Sequence, residues 1–318
     1  MKKVFSLFSL ISLSFVFAST TVLADAPLVK KSAPGFYRAM LGDFEITALS
    51  DGTVPLQVDQ LLTNTAPAKT KTALAKHHLT TPVTTSVNAY LINTGSKLVM
   101  IDVGAGRMFG PTLGRVLINL KAAGYTPEQV DEIYITHMHG DHAGGLLSGD
   151  LAAFPNAVVR ADQHDADHWL SEAAMNKAAP DNRRGYQSAM KAFAPYLASG
   201  KFKPFEGDTE LVPGVKAIAA HGHTPGHSIY QVESQGKKLI LWGDLMHVAA
   251  VQFENPSVTI SFDSDSKAAM AERKKAYADA ANKDIMVGAT HLSFPGLGYL
   301  RSEGKGYVWI PLNYQALE

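Results

Sequence analysis

The sequence predicts an α/β fold, with two stacked mixed β-sheets lying between outer helices in an αββα sandwich. Three observations lead there. Strand-length apolar stretches alternate with helical patterns along the chain. A strand–turn–strand–acid unit occurs twice, at 88–102 and again at 228–244. Histidines and aspartates gather directly after several of the strand-like stretches, where loops can turn them toward one point.

Taken in order, the chain opens with Lys2 and Lys3, an apolar run from Val4 to about Phe17, and the small-residue site Val22-Leu23-Ala24. This predicts a signal peptide over 1–24 and export to a periplasm or beyond. The run is too short, and too interrupted by serine, to span a bilayer. No cysteine follows it for a lipid anchor, and no later stretch is apolar enough for a membrane anchor. Residues 25–318 predict a single domain.

Strands are expected at Phe44–Leu49, Val87–Ile92, Lys97–Asp102, Glu132–Thr136, Ala157–Ala161, Val215–Ala219, Ile229–Val232, Lys238–Trp242 and Ile285–Ala289. Helices are expected at Pro111–Ala123, Gln163–Ala174, Tyr186–Ala198 and Ser266–Ala281. Asp263, Ser264 and Asp265 are candidate caps for the last helix.

Composition removes several function classes. With no cysteine there are no disulfides, thiolate ligands or cysteine nucleophile. Lys plus Arg equals Asp plus Glu, 29 each, so nothing points to nucleic acid or to an anionic membrane surface. No Gly-x-Ser-x-Gly nucleophile motif occurs.

The chemistry gathers in four segments. His137-Met-His139-Gly-Asp141-His142 follows a strand and puts three imidazoles and a carboxylate within six residues. His221-Gly-His223-Thr-Pro-Gly-His227, Gly243-Asp244 and Thr290-His291 each follow a further strand. Imidazole nitrogen and carboxylate oxygen are the donors that a borderline cation such as Zn²⁺ takes.

In that order along the chain, these motifs resemble the metallo-β-lactamase superfamily. The resemblance implies that His137, His139 and His223 bind one divalent cation. Asp141, His142 and His291 bind a second, and Asp244 bridges the two, both ions being Zn²⁺. Stretches such as Leu41-Gly-Asp-Phe-Glu-Ile-Thr, Phe109-Gly-Pro-Thr-Leu-Gly-Arg and Phe154-Pro-Asn-Ala-Val-Val-Arg are similar to the methyl parathion hydrolase and lactonase branch. That likeness covers nearly the whole chain after the leader and implies a homodimer.

The expected chemistry is hydrolysis of lactones or aryl carboxylic esters by a hydroxide generated between the two ions. Organophosphate triesters are the alternative substrates, and a metal-binding protein without turnover is the alternative class. Asp141, Asp244 and His247 are the candidate catalytic residues. His247 lies where related lactonases place a hydrogen-bonding side chain. Phe109, Trp169 and Tyr186 are expected to line an aromatic pocket, and His227 to support the ligands without binding metal. His77, His78, His164 and His168 read as surface residues, and His221 as a turn or core residue.

The absence of cysteine and the presence of Asp244 argue against a true β-lactamase. The leader argues against intracellular thioesterases of this family, and the full set of seven ligands against a mononuclear iron oxygenase.

Overall fold

The computed structural model describes residues 26–317, so the expected signal peptide lies outside the described residues. The chain divides at Ala33. Residues 26–33 form no helix or strand, and Pro34–Glu318 is a compact unit.

Two mixed sheets dominate that unit. The first has six strands in the order Phe36–Leu41, Phe44–Leu56, Val83–Asn93, Leu98–Ile101, Glu132–Tyr134 and Val158–Arg160. Its first three junctions are antiparallel and its last two parallel. The second has seven strands in the order Thr209–Val212, Val215–Ala219, Ser228–Ser234, Lys237–Leu241, Met286–Gly288, Leu297–Glu303 and Gly306–Pro311. Its one parallel pair is Lys237–Leu241 with Met286–Gly288.

The repeated sequence unit is a repeated structural one. In each sheet an antiparallel hairpin, Val83–Asn93 with Leu98–Ile101 or Ser228–Ser234 with Lys237–Leu241, is followed by a parallel partner.

Layering follows from the period-two alternation of strand side chains. In Val83–Asn93, Tyr90 and Ile92 pack with Val215, Tyr230, Val232 and Leu239 of the second sheet, closing the interior between the sheets. The alternate residues Ala89 and Leu91 pack against the helices through Val116, Leu120, Phe193 and Tyr196. The second sheet turns Trp242 and Val287 toward Tyr277 and Ala280 of the helix Ser266–Asn282. Strands buried on both faces read as near-continuous apolar runs, and Val87 to Ile92 is such a run.

Four departures from the expected elements have local causes. The helix expected from Pro111 begins only at Val116, because Gly114 sits at φ +83°, outside helical backbone. The helix expected over Gln163–Ala174 breaks into Gln163–Trp169 and Glu172–Lys177. Ser171 starts the second piece by accepting the Ala174 N–H. The helix Pro67–Lys76 has only two buried residues, too faint an apolar stripe to read. The strands Phe36–Leu41, Thr209–Val212, Leu297–Glu303 and Gly306–Pro311 lie at or beside sheet edges. They are mostly half-exposed or polar, so they lack the apolar signal of central strands.

Candidate metal centre

Tyr134, Ala219, Leu241 and Gly288 are the C-terminal residues of four strands drawn from both sheets, and the loops after them carry the ligand-type residues. Loops beyond the carboxyl ends of strands are where α/β sheets gather functional groups. Here they bring seven side chains together.

Two groups form. His137, His139, His223 and Asp244 offer ligand atoms that all lie within 4.8 Å of one another, and Asp141, His142 and His291 do the same. In the first, His139 Nδ1 lies 3.0 Å from His137 Nε2 and 3.1 Å from His223 Nε2. In the second, Asp141 Oδ2 lies 3.7 Å from His142 Nε2 and 3.6 Å from His291 Nε2.

Asp244 stands between them. Its Oδ2 is 3.7 Å from His137 Nε2 and 3.4 Å from His223 Nε2, while its Oδ1 is 3.1 Å from His142 Nε2 and 3.2 Å from His291 Nε2. Oδ2 therefore faces the first group and Oδ1 the second, with His291 Nε2 also 3.3 Å from Oδ2.

The donors fit cations. His142 Nε2 and Asp244 Oδ1 are buried with no hydrogen-bond partner among the described residues. A buried polar atom left unpaired costs about 1–3 kcal/mol, and an ion shared between such atoms removes that cost. Five imidazoles and two carboxylates form the nitrogen–oxygen set that borderline divalent ions take.

The outer ring nitrogens are held from behind. His142 Nδ1 lies 2.8 Å from Asp102 Oδ2, and Asp102 also accepts the Thr136 N–H and hydroxyl, each at 2.8 Å. His223 Nδ1 lies 2.9 Å from Asp263 Oδ1, and His291 Nδ1 lies 3.0 Å from the Ser86 carbonyl. With the outer nitrogen engaged as donor, the inner one presents its lone pair to the centre.

His227 works one step further out. Its Nδ1–H donates to the Ala220 carbonyl at 3.1 Å, and its Nε2 accepts the Asp244 N–H at 3.1 Å. It belongs to neither group and fixes the backbone of the residue between them. Gly243 is required here, since it has φ +53° and an added Cβ would sit 2.8 Å from the Thr136 side chain and 2.9 Å from His227 Nε2. Asp165 ties two of the loops by accepting the Met138 N–H at 2.9 Å and the Gly226 N–H at 2.6 Å.

Burial sets the protonation. It depresses His137 and His223 well below the usual histidine value and His139 to about 4, leaving neutral imidazoles ready to ligate. Burial alone would raise Asp244, but the adjacent His142, His291 and His247 outweigh it and hold the carboxylate well below its usual range. At His142 burial would lower the imidazole, but the carboxylates of Asp244, Asp141 and Asp102 outweigh it and raise it well above the usual histidine value. A cation would compete with that proton for Nε2.

The other expected residues divide. His247 is buried beside the centre, with Nε2 3.0 Å from Asp244 Oδ2 and its ring stacked on His291 at 5.0 Å. Neither of its ring nitrogens has a partner in hydrogen-bond geometry among the described residues. Trp169 meets the His139 ring edge-on at 5.2 Å. Phe109, half-exposed, lies over Gly140, where an added Cβ would meet its ring at 2.9 Å. Tyr186 packs on Trp169 at 4.9 Å and bonds His168 Nε2 through its hydroxyl at 2.8 Å. It stands behind Trp169, and His168 is thereby its partner, not a plain surface residue. A cavity of about 730 Å³ lined by Tyr37, Ile229, Ile240 and Glu272 is elsewhere and includes none of the centre's residues.

Asp102 and Asp263 are the supports that sequence reasoning missed. Asp102 is the acid closing the first repeated unit, in the place that Asp244 takes in the second, and that echo was its only signal. Asp263 sits among the three candidate helix caps. Asp265 makes the cap, accepting the Lys267 and Ala268 N–H groups, and Asp263 faces His223 instead.

Comparison with known proteins agrees. The sequence pattern of the metallo-beta-lactamase superfamily matches residues 83–283. An N-acyl homoserine lactonase from a Bacillus species is 31% identical over 161 residues, 51% of this chain and 56% of that protein. The N-acyl homoserine lactonase of Bacillus cereus is 30% identical over 164 residues with the same shares. The chain thus spans just over half the length of these curated relatives.

Among solved structures, the hydrolase AbOPH of the beta-lactamase superfamily is 38% identical, with a TM-score of 0.86 over 90% of this chain and 100% of that one. AidC, a dizinc quorum-quenching lactonase solved with a product bound, is 26% identical, with a TM-score of 0.81 over 89% and 99%. On this pattern, this fold and this ligand-rich site, the chain belongs to the metallo-beta-lactamase superfamily.

Proposed function

We propose that this chain is an exported hydrolase that holds two divalent cations, Zn²⁺ in the simplest case, and opens lactones or aryl carboxylic esters. The observation that carries the reading is Asp244, which turns one carboxylate oxygen to each of two ligand groups. His137, His139 and His223 would hold one cation, and Asp141, His142 and His291 the other. Two such ions supply Lewis acidity, making hydroxide available near neutral pH and polarising the substrate oxygen.

The chain's own groups do the rest. Asp102, Asp263 and the Ser86 carbonyl orient the imidazoles, and His227 anchors the backbone of Asp244. His247 has an unpartnered ring nitrogen at the edge of the centre, placed to donate to a substrate carbonyl oxygen. Asp141, the more exposed of the two carboxylates, is placed to return a proton to the leaving group. Trp169 and Phe109 flank the approach and suit an acyl chain or an aryl ring.

The lactonase names of the relatives support the lactone reading. The aromatic flank also suits an aryl phosphotriester, which is the second reading. Export through the leader and assembly as a homodimer belong to the same proposal.

The test is kcat/KM of the chain from Asp25 on an acyl-homoserine lactone, an aromatic lactone, an aryl ester and methyl parathion, with and without chelator. A lactone or ester should lead, and chelation should abolish turnover. His247→Leu should lose about tenfold or more on the lactone, the worth of one hydrogen bond in the transition state, and less on the phosphotriester. A lead for methyl parathion would overturn the lactone preference, and activity that survives chelation would overturn the mechanism.

A further inference from the structure

Outside the groups around Asp244, one other set of ligand-type side chains comes together among the described residues. Asp162, His164 and His221 offer three ligand atoms within 4.8 Å of one another. His164 Nδ1 lies 2.8 Å from Asp162 Oδ1, His221 Nε2 lies 3.7 Å from Asp162 Oδ2, and the two imidazole centres are 4.9 Å apart. We propose that these three residues form a third divalent-cation site, distinct from the dinuclear centre, that takes a borderline ion such as Zn²⁺.

Geometry supports this on the protein's own scale. Two donors about 2.1 Å from one tetrahedral ion stand about 3.4 Å apart. The corresponding separations in the main centre run from 3.0 Å, between His137 and His139, to 3.7 Å, between His137 and Asp244. The separations of 2.8 Å from Asp162 Oδ1 to His164 and 3.7 Å from Asp162 Oδ2 to His221 fall on either side of that spacing, one through each carboxylate oxygen.

A local hydrogen bond accounts for His164 and Asp162 alone. It leaves His221 unexplained, because His221 Nε2 is buried without a hydrogen-bond partner among the described residues and is too far from Asp162 Oδ2 to bond it. A shared cation satisfies that nitrogen where a direct contact does not. Two imidazoles and one carboxylate select Zn²⁺, Co²⁺, Ni²⁺ or Cu²⁺ over Mg²⁺ or Ca²⁺.

Burial defines how the site would work. Asp162 is fully buried and further held by the His164 and Gly207 N–H groups, so it is a fixed base. His164 is exposed and His221 partly so, which leaves one side open to water and to ion entry. With three protein ligands, the site is weaker than the main centre.

Its position gives it a purpose. His221 is two residues before His223 on the same loop, and Asp162 is three residues before Asp165, which already bonds that loop at Gly226. A cation here would staple the loop that carries a ligand of the main centre, and so stiffen the enzyme without joining its chemistry.

The test compares wild type with His164→Ala, a substitution at an exposed position, as holoenzymes equilibrated with graded free Zn²⁺. Metal per chain, thermal midpoint and kcat/KM on a substrate that the wild type turns over are measured together. Wild type should hold one ion more than the variant at saturation and gain several degrees in Tm that the variant does not, with equal kcat/KM. His221→Ala should reproduce the lost ion. Equal metal counts, or equal zinc-dependent Tm gains in wild type and variant, would overturn the third site. A loss of all turnover on chelation in both proteins, whatever their counts, bears on the proposed hydrolase alone.

Discussion

At the scale of single residues, two carboxylates outside the ligand-type groups, Asp102 and Asp263, hold the imidazoles of His142 and His223. Asp263 accepts from His223 Nδ1 at 2.9 Å, and its other oxygen lies 3.9 Å from the guanidinium of Arg273. Arg273 is itself fully buried and donates to the carbonyls of Leu245, Pro256 and Val258. The chain Arg273–Asp263–His223 therefore fixes one imidazole against the helix Ser266–Asn282. Asp263→Asn keeps the shape but loses the charge that makes His223 a stronger ligand. Metal affinity should fall about 10–100-fold, with activity restored by excess metal. Unchanged affinity by competition with a chelating dye would remove Asp263 from this role. The ligand-type residues were legible because four of them fall within six residues. Their supports were not, because Asp102 and Asp263 are each 40 residues from the histidine they hold.

At the scale of elements, the helices on the first sheet carry the wall beside the ligand-type groups. Trp169 ends the helix Gln163–Trp169, and Tyr186 near the start of Arg183–Ala198 packs behind it, its hydroxyl on His168. Burial lowers His168 below the usual 6.5, so the folded state prefers the neutral imidazole. Its contribution to stability is complete above that unfolded value and is lost as pH falls through the depressed one. The Tm advantage of wild type over His168→Gln should thus be larger at pH 8 than at pH 5, by a small margin given its partial exposure. An equal advantage at both would show that the residue acts through packing alone. The helix Arg183–Ala198 was readable because Tyr186, Ala189, Phe193 and Tyr196 recur on one face. The break at Ser171 was not, because a cap is made by one serine whose role only the surrounding packing selects.

At the scale of the molecule, the centre joins the two sheets. His137, His139, Asp141 and His142 follow a strand of the first, while His223, Asp244 and His291 follow strands of the second. Cations held there bind the folded state and cannot be held the same way by the unfolded chain. An ion at a hundredfold excess over its Kd adds about 2.7 kcal/mol, and about 2–4 °C of Tm accompanies each kcal/mol in a large domain. Exhaustive chelation should therefore lower Tm by roughly 5–10 °C per ion removed, reversed by adding Zn²⁺. A Tm indifferent to chelation would mean that the sheets hold together without the ions.

The sequence by itself determined the layered class, most central strands and all seven ligand-type residues. These rest on periodicity and local spacing, which a chain expresses before it folds. Only the tertiary structure decided which carboxylate orients which imidazole, that Trp169 rather than Tyr186 meets His139, and that His221 stands with Asp162 and His164. Those contacts join segments 30 or more residues apart. Their register is set by how two buried surfaces pack, which no local pattern records.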